Sequence, residues 1–167
     1  RAKQLTEQAR AQVARLLSAG TSEIVFTSGG TEANHLALLG TLGASPGKRH
    51  IVTSAVEHPS TLDLLAQLET QGVRVTRLPV DSEGRLDSMT LERALTPDTA
   101  LLSLMWANNE TGVLFPIEEA ARIAKSKGVL FHTDAVQAAG KHSIDLARIP
   151  ADLLSLSGHK LHAPKGV

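Results

Sequence analysis

Cysteine does not occur among the 167 residues. Disulfide scaffolds, thiolate metal sites and cysteine nucleophiles are therefore excluded within this stretch. Tyrosine is absent and aromatic residues make up only 2%, so the core must be aliphatic. Neither sign of charge is in excess: Lys+Arg and Asp+Glu each total 17, for a formal net charge of zero. A nucleic-acid or polyanion binder usually carries a basic surplus, so that partner class is not expected. No apolar run approaches the ~20 residues of a membrane span, and no signal peptide is visible. The expectation is a soluble cytoplasmic protein with no membrane partner. Arg1 opens directly into a helical pattern without an N-cap, and Val167 follows a glycine with no terminating element. The chain is therefore expected to be an excerpt of a longer polypeptide.

What is present is a regular alternation of helical and strand patterns. "RAKQLTEQARAQVARLL" places Leu5, Ala9, Val13, Leu16 and Leu17 on one helical face, with Gly20 as its stop. "EIVFTSG" reads as a short strand and "TEANHLALLGTL" as a helix. "RHIVTSA" is a second strand, and Pro59 suits the first turn of the helix "STLDLLAQLETQ". "VRVTRLPV" reads as a strand, then comes a helix near Met89 to Leu95 and the apolar strand "ALLSLMWANNE". "IEEAARIAKSKG" is a helix with a glycine stop, and "VLFHTDA" and "DLLSLSG" are further strands. Strands alternating with helices imply one α/β domain, a three-layer sandwich around a mostly parallel sheet.

Five polar clusters follow the carboxyl ends of these apolar runs: Ser28 to Thr31, Glu57-His58, Asn108 to Glu110, Asp134 to Gln137, and Ser157 to Lys160. In open α/β sheets that edge is where ligands bind. "TSGGTEAN" sets Gly30 and Thr31 at a helix N-terminus, where free N–H groups suit a phosphate, although Thr31 could equally be a plain cap. Asp134 could pair with a protonated ring nitrogen and Gln137 reach a ring oxygen; alternatively Asp134 caps a following helix. His132 shares a face with Asp134 and reads as a packed or hydrogen-bonded residue. His58 could stack on an aromatic cofactor and shuttle protons, or be a hydrogen-bonded loop histidine. Asn109 could hold a ring substituent, or both asparagines could form the turn toward Gly112.

The most specific chemistry lies in "SLSGHK". A lysine on a tight Ser157-Gly158 turn can form a Schiff base with a carbonyl cofactor if positive neighbours and partial desolvation keep its amine available. Ser157 and His159 could add donors to a phosphate. A zinc reading of His159 and His162 lacks the further ligands such sites need. Lys165 reads as a solvated loop residue. A phosphate cradle, a carboxylate for a pyridinium nitrogen, an amide, a stacking imidazole and a reactive lysine together meet the requirements of pyridoxal 5'-phosphate.

The blocks "FTSGGTEANHLAL", "EHPSTL", "MWANNETGVLFPIEE", "FHTDAVQAAGK" and "SGHKLHAPKGV" resemble the cysteine desulfurases of the class-V aminotransferase group, most closely the nitrogen-fixation type. The resemblance spans essentially the whole chain. It implies the large domain of fold-type I pyridoxal-phosphate enzymes, with a mostly parallel seven-stranded sheet. It also implies catalytic roles for Lys160, as the covalent anchor that later moves the substrate Cα proton, and for His58, in stacking and proton transfer. Asp134 matches the ring-nitrogen partner, Gln137 the ring-oxygen contact and Asn109 a further cofactor contact. Gly30, Thr31, Ser157 and His159 match the phosphate side, with Gly158 completing that turn. The implied reaction converts L-cysteine to L-alanine and an enzyme persulfide that feeds iron–sulfur cluster assembly through a scaffold protein, in a homodimer. The persulfide-forming cysteine, the substrate-carboxylate arginine, the last sheet strand and the small C-terminal domain are expected to lie outside this chain, leaving residues 1–167 as an incomplete large domain. A selenocysteine lyase, another class-V enzyme, or a non-catalytic scaffold on the same fold are the alternatives.

Overall fold

A computed structural model describes residues 1–167. Five strands form one sheet: β1 (His50–Ser54), β2 (Arg74–Leu78), β3 (Thr99–Met105), β4 (Leu130–Asp134) and β5 (Leu153–Ser155). Their order is β2-β1-β3-β4-β5 and every pair is parallel. Five helices connect and cover them: α1 (Ala2–Leu17), α2 (Gly30–Ala44), α3 (Pro59–Thr70), α4 (Ser88–Ala94) and α5 (Ile117–Ser126). Every residue of β1 and of β3 is buried, as expected where helices cover both faces of a parallel sheet. Successive crossovers reverse direction between β1 and β3, and such a switch point opens a crevice at the carboxyl edge.

Strand alternation splits the core in two. Ile51 and Leu101 pack with Ala37 and Leu38 of α2 and with Leu64, Leu65 and Leu68 of α3. On the opposite face, Val52, Leu102, Leu104 and Phe131 pack with Leu91 of α4, with Ile117, Ala120, Ala121 and Ala124 of α5, and with Leu17 of α1. Helices, sheet and helices thus form three layers. With few aromatics to use, the core is filled by leucine, and small alanines let α5 lie close to the sheet.

Two local expectations fail. "EIVFTSG" forms no strand: a 3-10 turn covers Thr21–Glu23 and the following residues are extended but unpaired, with Val25 68% exposed. Ile24 packs on the core, but no strand of the sheet pairs with the segment. It is tied instead to α1, where the Arg10 guanidinium donates to the Ile24 carbonyl and lies 5.0 Å from the Phe26 ring centroid. The sheet accordingly has five strands, one fewer than the six strand patterns in the sequence. The apolar face of α1 is also only partly used, since Leu5 and Leu16 are exposed and Ala14 and Leu17 alone are buried. Helix α1 reaches the core at its carboxyl end, where Leu146 N–H donates to the Leu17 carbonyl at 3.0 Å. It stops at Ser18 in the left-handed conformation, two residues before the expected glycine.

Candidate active site at the strand ends

The carboxyl ends of β1, β3, β4 and β5 and the amino end of α2 enclose one cavity of about 220 Å³. Nine of the ten residues singled out from sequence line it: Gly30, Thr31, His58, Asn109, Asp134, Gln137, Ser157, His159 and Lys160. The tenth, Gly158, lies just behind as the first residue of the 3-10 turn Gly158–Leu161. All five polar clusters converge, including Ser28 to Thr31, which no strand precedes.

At the entry to α2, Gly29 has φ 149° and ψ 178°, a conformation essentially reserved for glycine. A Cβ on Gly30 would stand 3.0 Å from Val136 Cγ2, so the backbone here approaches the β4 loop closely. Thr31 does not cap the helix. Gly29 occupies the N-cap position without a side-chain bond, while the Glu32 carboxylate accepts from both N–H and Oγ of Ser28 at 2.6 Å. Those two bonds hold the Glu32 carboxyl below its usual range. Gly30 and Thr31 of the first helical turn border the cavity, and the amides of such a turn, which lack helical partners, receive phosphates elsewhere.

His58 is the N-cap of α3 and Pro59 its first residue. The ring Nδ1 accepts the Ser60 amide at 3.2 Å and lies 2.8 Å from Ser60 Oγ. An Nδ1 that accepts from an amide carries no proton, so the neutral imidazole bears its hydrogen on Nε2. Behind it, Glu57 is buried and accepts from Ser54 Oγ at 2.6 Å and from the Met105 amide at 3.0 Å. Burial outweighs those bonds and pushes its carboxyl up to about 8.

Asn108 and Asn109 divide the two readings open to them. Asn108 is the turn former, its Oδ1 accepting from the amides of Glu110 and Thr111 and its Nδ2 donating to the Val56 carbonyl. Asn109 is thereby left free to border the cavity. Asp134 caps no helix, because turns follow it. Its Oδ1 accepts the Val136 amide at 2.9 Å and its Oδ2 accepts Asn34 Nδ2 at 2.7 Å. Gln137 Oε1 accepts from Lys141 Nζ at 3.0 Å.

His132 sits one strand step below Asp134, fully buried, with Nδ1 2.8 Å from Ser103 Oγ and Nε2 2.9 Å from Ser155 Oγ. Burial depresses this imidazole to about 4, so it is neutral, as a packed residue should be. Ser157 Oγ lies 2.8 Å from His159 Nδ1. Lys160 is exposed at the cavity rim and belongs to none of the chain's five ion pairs. The partial desolvation expected for it is therefore not supplied by this chain's own atoms. His162 closes the turn in the left-handed conformation and does not line the cavity with His159. No three His, Asp or Glu side chains converge as metal ligands.

Sequence reasoning missed Asn34 and Ser60. The signal for Asn34 was its place at i, i+3, i+4 and i+7 with Ala37, Leu38 and Thr41, an amide on the buried stripe of α2.

Fold and site together define an α/β domain with a strand-end cavity equipped for a phosphorylated, ring-bearing carbonyl ligand. Over residues 1–167 the sequence matches the family model described as aminotransferase class-V, and the chain belongs to that family. Among curated relatives, it is 57% identical over 161 residues to cysteine desulfurase 2 of Trichormus variabilis, covering 96% of this chain and 40% of that protein. It is 54% identical over 162 residues to the cysteine desulfurase NifS of Azotobacter vinelandii, again covering 96% and 40%. Among solved structures, SspA in complex with cysteine superposes with a TM-score of 0.92 at 40% identity, covering 96% of this chain and 46% of that one. DndA from Streptomyces lividans gives 0.91 at 43% identity, covering 99% and 46%. The chain thus spans about 40% of the length of the curated relatives it matches.

The family is pyridoxal-phosphate-dependent, and the residues present fit that group. Gly30, where a side chain would crowd Val136, and Thr31 line the cavity at a helix start suited to a phosphate. The Asp134 carboxylate suits a ring nitrogen, and the Lys160 amine is in no ion pair.

Proposed function

We propose that residues 1–167 are the cofactor-binding part of the large domain of a cysteine desulfurase, with the rest of that domain and the small domain outside this chain. The observation that carries the reading is the convergence of Lys160, His58 and Asp134 on one cavity, in a chain 54–57% identical to proteins of that activity. The substrate is L-cysteine, in keeping with the cysteine held by the structural relative SspA. Its C–S bond breaks and an S–S bond forms to an acceptor thiolate, with a proton delivered to the carbon, so that L-alanine and a persulfide result. With no cysteine among these residues, the thiol is supplied from outside them.

Pyridoxal phosphate, when bound, supplies an electron sink that lets the bond to the substrate Cα proton break. The protein's residues bind, orient and move protons. Amides of Gly30 and Thr31, with Ser157 and His159, hold the phosphate side, Gly158 shaping that turn. Asp134 would pair with the ring nitrogen and favour its protonated form, while Gln137 and Asn109 would contact the ring substituents. Lys160 Nζ would hold the cofactor covalently and would move the substrate Cα proton. His58 would stack on the ring, its Nδ1 held by the Ser60 amide and its Nε2 left for proton transfer.

The 54% identity to NifS supports sulfur supply to iron–sulfur cluster assembly in nitrogen fixation, through a scaffold protein as acceptor. A homodimer in the cytoplasm completes the reading. The test is alanine and sulfide production from L-cysteine by the full-length protein and its Lys160→Ala variant. Loss of turnover by several orders of magnitude is expected. Unchanged turnover would overturn the assignment.

A further inference from the structure

The carboxylate of Asp134 is gripped from two sides. One grip is local, the Val136 amide two residues on, a bond the turn makes for itself. The other crosses 100 residues of sequence: Asn34 Nδ2 donates to Oδ2 at 2.7 Å. Asn34 is 2% exposed, and its amide has a second, longer contact at 3.4 Å to Thr61 Oγ1 on α3. Its own carbonyl oxygen is buried without any partner. Reversing the amide would set that oxygen against the carboxylate, so Asp134 dictates which end faces it. A buried acceptor left unsatisfied so that a donor stays on one carboxylate is a cost that calls for a functional reason.

We propose that Asn34 is the positioning residue for Asp134, fixing the plane of the carboxylate so that its remaining lone pairs face the ring nitrogen of the bound cofactor. The inference rests on the reading of Asp134 given above. A carboxylate is loosely held about its Cβ–Cγ bond, and one donor leaves it free to swing. Donors on both oxygens remove that freedom. Asn34 reaches the site because α2 starts at the phosphate side and runs back over the sheet, so one helix organises both ends of the cofactor.

The experiment uses the full-length protein loaded with pyridoxal phosphate labelled with 15N in the ring, in which the nitrogen chemical shift reports protonation directly. Wild type is expected to show the protonated signal. Asn34→Leu, similar in volume, and Asn34→Ala should each shift it toward the unprotonated position and release cofactor faster. Asp134→Asn should lose the protonated signal outright, and adding Asn34→Ala to it should change nothing further. An unmoved signal in both Asn34 variants, with Asp134→Asn shifted, overturns this inference and leaves the Asp134 assignment standing. An unmoved signal in Asp134→Asn overturns that assignment and the inference with it. An Asn34 effect that persists undiminished in the Asp134→Asn background, or two Asn34 variants without native circular dichroism, marks Asn34 as a structural residue only.

Discussion

Two buried ionisable side chains beneath the site pull stability in opposite directions with pH. Glu57 titrates near 8 when folded against 4.5 in an exposed chain, because burial opposes its charged form. Between those values the native state holds a proton that the unfolded state has lost, so stability falls as pH rises. His132 is the reverse case, near 4 when folded against 6.5. Below 6.5 the unfolded state binds a proton the native state refuses, so stability is lost as pH falls. His50, buried in β1 and shifted in the same direction, adds to that side. Glu57 and His132 each contribute a slope of about 1.4 kcal/mol per pH unit inside their own windows. The slopes oppose each other between 4.5 and 6.5, leaving Glu57 alone from 6.5 to 8. Urea unfolding of the full-length protein should therefore show stability declining from pH 6.5 to 8. Glu57→Gln should flatten that decline and leave the acid limb intact. A decline that survives the substitution assigns it to another group.

Helix α2 shows most plainly how an element builds the site. Its amino end needs a backbone conformation that only glycine adopts cheaply, at Gly29. Its first turn lines the cavity with Gly30 and Thr31, and its buried stripe brings Asn34 to Asp134. Gly29→Ala is expected to cost about 1–3 kcal/mol through backbone strain. It should weaken cofactor retention more than it lowers the melting temperature of the cofactor-free protein, as equilibrium dialysis and thermal melts would show. Equal loss in both would make Gly29 a folding residue alone. At α3, one residue serves two elements, because the N-cap bond of His58 also settles which ring nitrogen carries the proton.

The molecule as a whole is an aliphatic sandwich whose stability resides in the two leucine-rich layers. Leu65 is completely buried between α3 and the sheet. Truncating it to alanine should cost about 2–5 kcal/mol, the usual range for a large-to-small change in a tight core. Met89, 62% exposed on α4, should change stability by no more than about 0.5 kcal/mol when made alanine. Unfolding midpoints of the two variants test the contrast. Equal effects would mean that the α2–α3 layer is not a closed core.

Much of this was legible in the sequence. The parallel α/β architecture followed from strands alternating with helices along the chain, and the site followed from polar residues placed just after the strands. Nine lining residues were found because a ligand at a strand end must be met by loops, and loop chemistry is local. What the sequence could not reveal depended on neighbours far along the chain. Ile24 to Phe26 carry strand residues yet pair with nothing, since a strand needs a partner edge and none lies beside them. Asn108 and Asn109 are the same residue type, and only the Val56 carbonyl and the two amides at the turn decided which one forms it. Asn34 stayed hidden because its role is a single contact spanning 100 residues, and contacts of that range exist only once the sheet has brought α2 over β4.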